Sequence, residues 1–207
     1  MKLRLFKDIA ELERAALALL TSRLGPVTAQ APAVILPGGR TPMGLYRALA
    51  ATPIKVGRSL RILQSDERHV PPDSPDSNYG RMRDMIQALG ISEDNVLRVH
   101  TEFPLEAAAN EYDAVLRGYL RKGGRIKLGL LGLGADGHTA SLFSPRDILR
   151  GQGRYAIPVE RPDGMKGVSV TRDLLQKAEQ IVFLAAGAGK GEVVSRVVKS
   201  PASVPAG

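Results

Sequence analysis

The stretch Leu130-Leu131-Gly132-Leu133-Gly134-Ala135-Asp136-Gly137-His138-Thr139-Ala140-Ser141-Leu142-Phe143 decides how this chain is read. It continues an apolar run over 126–131, which has the length and composition of a buried strand. Three glycines, an acid and a histidine follow, and residues 139–143 are expected to open a helix. Closely spaced glycines let a backbone turn sharply and approach a ligand. His138 is one of only three histidines, and it falls where the carboxyl end of a strand belongs. In open α/β sheets, ligands bind beyond that end. The spacing Gly132-x-Gly134-x-x-Gly137 formally fits a dinucleotide loop. Two features argue against that use: Asp136 brings negative charge into a loop meant for pyrophosphate, and the stretch lies late in the chain. A tight strand-to-helix turn whose histidine caps a helix is the plainer alternative.

Three other strand ends carry chemistry-bearing residues. Residues 33–36 read as a short buried strand followed by Pro37-Gly38-Gly39-Arg40-Thr41-Pro42 and a helical segment over 43–50. Thr41 is a candidate N-cap and Pro42 suits the first helical position. A strand, glycine loop and capped helix can hold a phosphate on free amides and a helix dipole; an ordinary βα turn looks the same. Residues 60–64 form the next expected strand, ending in Ser65-Asp66-Glu67-Arg68-His69. A charge run of this kind is more often a solvated loop of internal ion pairs. Ser77-Asn78 is placed to cap a helix over 79–89. The apolar run 181–185 ends in Gly187-Ala188-Gly189-Lys190, where Lys190 is either a phosphate ligand or a surface lysine.

Further elements fill the spaces between. A helix is expected over 8–23, with Asp8 and Glu11 resembling a capping box and Gly25-Pro26 ending it. Others are expected over 105–121, 172–178 and after Lys190 through 198, with strands over 95–99, 155–159 and 168–171, and a flexible break at Gly151-Gln152-Gly153. Strands alternating with helices imply a single three-layer α/β domain, 1–207, whose Rossmann-like open sheet is mostly parallel and flanked by helices. The segments around Gly38, Asp66, His138 and Lys190 then converge on one sheet edge, which favours a site over four unrelated loops.

Composition narrows the class. The chain has 207 residues, 43% of them hydrophobic, and no cysteine, so neither a disulfide framework nor a thiolate nucleophile is available. The first eight residues are charged and lack an apolar signal core, and no run approaches the roughly 20 apolar residues of a membrane span. A cytoplasmic protein with no membrane partner is the expectation. A formal charge of +8 suits nucleic acid or an anionic small molecule. The basic residues are scattered and aromatics make up only 4%, so stacking platforms are scarce and nucleic acid is disfavoured. No Gly-x-Ser-x-Gly elbow marks a serine hydrolase, Ser141 reads as a helix-turn residue, and His69, His100 and His138 lack the spacing of a zinc site.

The same residues resemble the 6-phosphogluconolactonase family, within the superfamily shared with glucosamine-6-phosphate isomerases. The run from Gly132 to Phe143 is similar to its signature, as is Ser65-Asp66-Glu67-Arg68-His69-Val70-Pro71 with Ser77-Asn78-Tyr79. Pro37-Gly38-Gly39-Arg40-Thr41-Pro42 resembles its phosphate loop, usually Ser-Gly-Gly-Ser-Thr-Pro; Val168-Ser169-Val170-Thr171 and Gly187-Ala188-Gly189-Lys190 resemble later blocks. The related deaminases follow the histidine with Ile-Ala-Phe-Asn-Glu and carry Asp-Glu-Tyr where Asp66-Glu67-Arg68 stands. The catalytic glutamate of that block is absent here, which favours the lactonase over a deaminase-like isomerase. A non-catalytic sugar-phosphate sensor is the third possibility, and no helix-turn-helix stretch precedes the domain.

The resemblance implies hydrolysis of 6-phosphoglucono-1,5-lactone to 6-phosphogluconate in the pentose phosphate pathway, with no cofactor and no metal. It implies His138 as the base that activates water, with Asp66 and Arg68 as catalytic partners. It implies Gly38, Gly39, Arg40, Thr41 and Lys190 as phosphate contacts, and Asn78, Gly134, Asp136 and Gly137 as further substrate contacts. Either Asp136 or Asp66 is placed to orient the His138 ring. Pro37, Arg40 and Ser144 depart from the family's usual residues. The sequence is also expected to lack the family's last strand, leaving a sheet edge uncovered.

Overall fold

The computed structural model describes residues 1–24 and 32–207. Its first helix, α1 (Ile9–Leu24), opens where the capping pair was expected. Asp8 Oδ1 accepts the Glu11 amide at 2.8 Å, and Glu11 reaches back to the Lys7 amide at 2.8 Å. The expected stop at Gly25-Pro26 lies outside the described residues.

Five parallel strands make the central sheet, in the order β4-β2-β1-β5-β8: β1 (Pro32–Leu36), β2 (Arg61–Gln64), β4 (Val96–Leu97), β5 (Arg125–Gly132) and β8 (Ile181–Leu184). Every residue of β1 is buried, as expected of a parallel strand covered on both faces. Val34 and Leu36 point into a core built with α1, α2 (Met43–Ala51) and α3 (Asn78–Ala88). Ala33 and Ile35 point the other way, toward Ala108, Tyr112 and Leu116 of α4 (Leu105–Arg121). The strand's period of two thus gives one layer of helices on each face. Between β1 and β5 the register slips at Ala33/Val34, skipping Lys127. That bulge puts Ile126 and Leu128 in opposite cores.

A second, three-stranded antiparallel sheet was not anticipated: β3 (Asp66–Arg68), β7 (Lys166–Val170) and β6 (Ala156–Glu160), in that order. The charge run read as a loop is therefore a strand, with Asp66 opposite Ser169 and Arg68 opposite Gly167. Ser65 joins the two sheets: its amide donates to the Leu36 carbonyl (3.0 Å), and its carbonyl accepts the Val170 amide (2.9 Å).

Other local expectations also need correction. Residues 139–143 form a tight turn with Ala140 at φ +50°. The helix begins later, as α5 (Pro145–Arg150), where Ser144 and Asp147 make a capping box with Pro145 inside it. At α2, Pro42 is the cap residue with near-helical angles and no side-chain cap hydrogen bond. Thr41 is thus not the cap, because the turn has already begun with the Met43 amide on the Arg40 carbonyl. The expected helix over 172–178 is only one turn, α6 (Arg172–Leu175), capped by Thr171. A 3₁₀ turn, Ala188–Lys190, precedes α7 (Gly191–Lys199). Beyond it Val204 packs with Leu133, Val193 and Val197. Among the described residues, no helix is long and apolar enough to cross a membrane.

Within β3 alternate residues take opposite directions, and the outlying one is Glu67. Its buried carboxylate accepts the amides of Asn78 (2.6 Å) and Tyr79 (2.7 Å) at the start of α3, the Arg68 amide (2.8 Å) and Gln64 Nε2 (2.8 Å). Burial pushes its pKa up, against those same hydrogen bonds, which pull it down. A carboxylate at a helix N-terminus complements the dipole and the orphan amides there. Removing it strands buried N–H groups at about 1–3 kcal/mol each. Glu67→Ala should therefore lower unfolding free energy by roughly 3 kcal/mol or more in urea titration, and Glu67→Gln by less.

Candidate active site

Because all five strands of the main sheet are parallel, the segments after β1, β2, β5 and β8 open on one edge. Those segments carry Gly38, Asp66, His138 and Lys190.

The loop after β5 folds over itself. The Gly134 amide donates to the His138 carbonyl (2.9 Å), and the Gly137 amide to the Gly134 carbonyl (3.1 Å). Gly137 lies at φ +93°, a conformation that disfavours any side chain. Its carbonyl accepts the Ala206 amide at 3.0 Å. Asp136 Oδ1 sits 2.6 Å from His138 Nδ1 and also accepts the His138 amide at 3.1 Å. Asp136, and not Asp66, is therefore the group that orients the ring. Burial pushes the Asp136 carboxyl up, but hydrogen bonds from the His138 amide and ring outweigh it and hold the group below its ordinary value. An ionised carboxylate can only accept, so Nδ1 is the ring nitrogen that faces it with a proton, and in the neutral ring Nε2 is the one with the free lone pair. The pair lies directly above Gly134: a Cβ there would be 2.2 Å from His138 Nδ1 and 2.4 Å from Asp136 Oδ1.

Asp66 and Arg68 share one face of β3. The Asp66 carboxylate accepts hydrogen bonds from Ser65 Oγ (2.6 Å), Ser141 Oγ (2.9 Å) and Asn78 Nδ2 (3.3 Å). Ser141 is thus no helix-turn residue: it is buried, with its amide on Ser169 Oγ at 3.0 Å. Among the described residues, no serine hydroxyl is hydrogen-bonded to His138, so no Ser-His pair forms. Arg68 donates to the Asp76 carbonyl at 2.8 Å, while its Nε is buried without an acceptor. Burial lowers the pKa of this guanidinium, and nearby Arg161 lowers it further.

The loop after β1 is braced from behind. Tyr46 donates to the Pro37 carbonyl (2.7 Å) and Arg81 to the Gly38 carbonyl (3.0 Å). Gly38 is buried against Asn78, whose Cγ would lie 2.0 Å from an added Cβ. Gly39 and Arg40 are exposed and Thr41 half-buried. Lys190 reaches across to β5 and donates to the Leu133 carbonyl at 2.6 Å, beside the His138 loop.

Sequence reading missed three members of this cluster: Ser141, Ser169 and Arg161. Arg161 Nη1 donates to Ser141 Oγ at 2.9 Å. Its guanidinium lies 5.3 Å from the Phe143 ring centre, and the Phe143 ring lies 4.5 Å from that of His138. A lone arginine on a hairpin turn carries no signal in one sequence. The serine at 169 did carry one, as a polar residue inside a strand.

The profile of the family described as glucosamine-6-phosphate isomerases/6-phosphogluconolactonase matches residues 7–207. The chain belongs to this family. The 6-phosphogluconolactonase of Treponema pallidum is 32% identical over 213 residues, covering 99% of this chain and 88% of that one. That of Synechocystis is 34% identical over 194 residues, covering 88% and 78%. The crystal structure of the Thermotoga maritima 6-phosphogluconolactonase superposes with a TM-score of 0.75 at 27% identity, covering 96% of this chain and 86% of that one. The family's description names two activities, so membership alone leaves the choice to the residues of the site.

Gly134 gives the pair its geometry, which yields a structural prediction. Gly134→Ala should push His138 away from Asp136 and remove the hydrogen bonds that hold the Asp136 carboxyl down. Its titration midpoint, followed by carboxyl NMR, should rise, whereas Gly118→Ala, with open space around its Cβ, should leave it in place.

Proposed function

We propose that this protein hydrolyses 6-phosphoglucono-1,5-lactone to 6-phosphogluconate, the lactonase step of the pentose phosphate pathway, with His138 as general base. The single observation that carries the reading is the Asp136–His138 pair at the carboxyl edge of the parallel sheet. In the neutral ring, Asp136 beside Nδ1 selects the tautomer whose Nε2 can accept a proton, the arrangement that water activation near neutral pH requires. A deaminase of this family would use the glutamate that residues 139–143 lack.

The chemistry balances without a cofactor. Nε2 takes a proton from water as its oxygen bonds to the lactone carbonyl carbon, and the π pair moves onto the carbonyl oxygen. Collapse of that tetrahedral species expels the ring oxygen, which takes the proton from His138 and becomes a hydroxyl. The product acid then ionises to a carboxylate. Gly38, Gly39, Arg40, Thr41 and Lys190 are assigned to the phosphate, Asn78 and Gly137 to the walls of the cleft. Asp66, bonded to Ser65, Asn78 and Ser141, positions the loops and does not orient the ring.

Three outcomes follow. His138→Ala should lose about 10²–10⁴-fold in kcat while still binding 6-phosphogluconate in calorimetry, and wild-type turnover should fall on acidification once spontaneous hydrolysis is subtracted. A folded variant with wild-type kcat would reduce His138 to a structural role. Lys190→Ala should raise KM for the phosphorylated lactone with little change in kcat, as expected for a contact made equally in ground and transition states. Unphosphorylated gluconolactone should be a poor substrate, and ammonia released from glucosamine 6-phosphate would point instead to the deaminase.

A further inference from the structure

The hairpin between β6 and β7 places Arg161 on the same face of the small sheet as Asp66 and Arg68. Strand alternation sets this: Val159 pairs with Gly167, and Gly167 with Arg68, while Arg161 follows Val159 by two residues. Its amide closes the hairpin on the Met165 carbonyl at 2.9 Å. The side chain is only 13% exposed and is held on three sides. Asp163 receives Nε and Nη2 at 3.0–3.3 Å, Ser141 Oγ receives Nη1 at 2.9 Å, and Phe143 lies against the plane. One N–H on each terminal nitrogen is left over from these bonds.

Arg161 is paired with Asp163, but among the described residues the Arg68 guanidinium is hydrogen-bonded to no carboxylate. Asp66 is already met by three neutral donors, and Arg68 Nε has no acceptor. Burial, together with repulsion by Arg161, weakens the hold of Arg68 on its proton. An anionic oxygen received by both would relieve each of these conditions. Through Phe143, this position adjoins the His138 ring.

We propose that Arg161 is a substrate-binding residue that, with Arg68, receives the negative charge of the carbonyl oxygen during water attack and then the product carboxylate. This assignment rests on the lactonase reading above and adds the residue that recognises the end of the substrate opposite the phosphate.

The test uses the full chain and two probes, 6-phosphogluconate and inorganic phosphate. Arg161→Gln should lose about 10²-fold in kcat, in the range for removing one oxyanion donor. It should bind 6-phosphogluconate at least tenfold more weakly by calorimetry, with inorganic phosphate within twofold of wild type. Arg161→Lys keeps the charge but not the planar fork; it should weaken product binding at least threefold with phosphate again unchanged. Wild-type kcat and product affinity in Arg161→Gln would overturn the proposal, and so would an equal loss for both probes, the mark of a merely structural residue. Should Arg161→Gln not fold, unchanged product affinity in Arg161→Lys overturns it alone. A wild-type chain that binds 6-phosphogluconate without hydrolysing the lactone would sink the lactonase reading and leave the Arg161 comparison readable by binding.

Discussion

One buried carboxylate, that of Glu67, orders most of this site. It sits in the middle of a three-residue strand and takes the first amides of α3. Burying a carboxylate costs several kcal/mol, and charge-assisted hydrogen bonds of about 1.5–3 kcal/mol each offset it. Glu67 thereby fixes Asn78, which packs against Gly38 and donates to both the Asp66 carbonyl and its carboxylate. The loop after β1, the strand after β2 and the start of α3 are set by one group that never faces the cleft.

The second constraint is topological. Five parallel strands bring their carboxyl ends to one edge, and the antiparallel sheet leaves that edge through Ser65. The small sheet faces the β5 loop, so residues distant in sequence meet there. Asp66 touches Ser141, Ser141 touches Arg161, and Arg161 reaches His138 through the Phe143 ring. His138 and the two arginines are held by a continuous set of packed and hydrogen-bonded groups, as a preorganised electrostatic site requires.

Much of the local structure was legible before any coordinates. The strand 126–131, the helix 105–121 and the Ser77 cap follow from apolar period and cap chemistry, and they stand where expected. The misreadings have physical causes. Residues 139–143 have a composition a helix would accept, but Ala140 is driven to φ +50° and Ser141 is tied to Asp66 and Ser169. The true start is written in Ser144, Pro145 and Asp147, which form a capping box. Asp66, Glu67 and Arg68 look like a solvated loop because charge runs usually are. Here the strand alternates a helix cap against two site residues, a pattern of period two that three residues are too few to display.

The sequence by itself determined most of the elements, the parallel sheet and the four loops on one edge. Those depend on local propensity, on period and on the rule that parallel strands share their carboxyl end. Only the tertiary structure decided which carboxylate orients His138. Asp136 does so because Gly134, lacking a Cβ, lets the ring fold back onto a neighbour two residues away. Only the tertiary structure brought Arg161 to Arg68 as well. That meeting depends on the register of β3, β7 and β6, and strand register across some ninety residues is a long-range contact that no local pattern encodes.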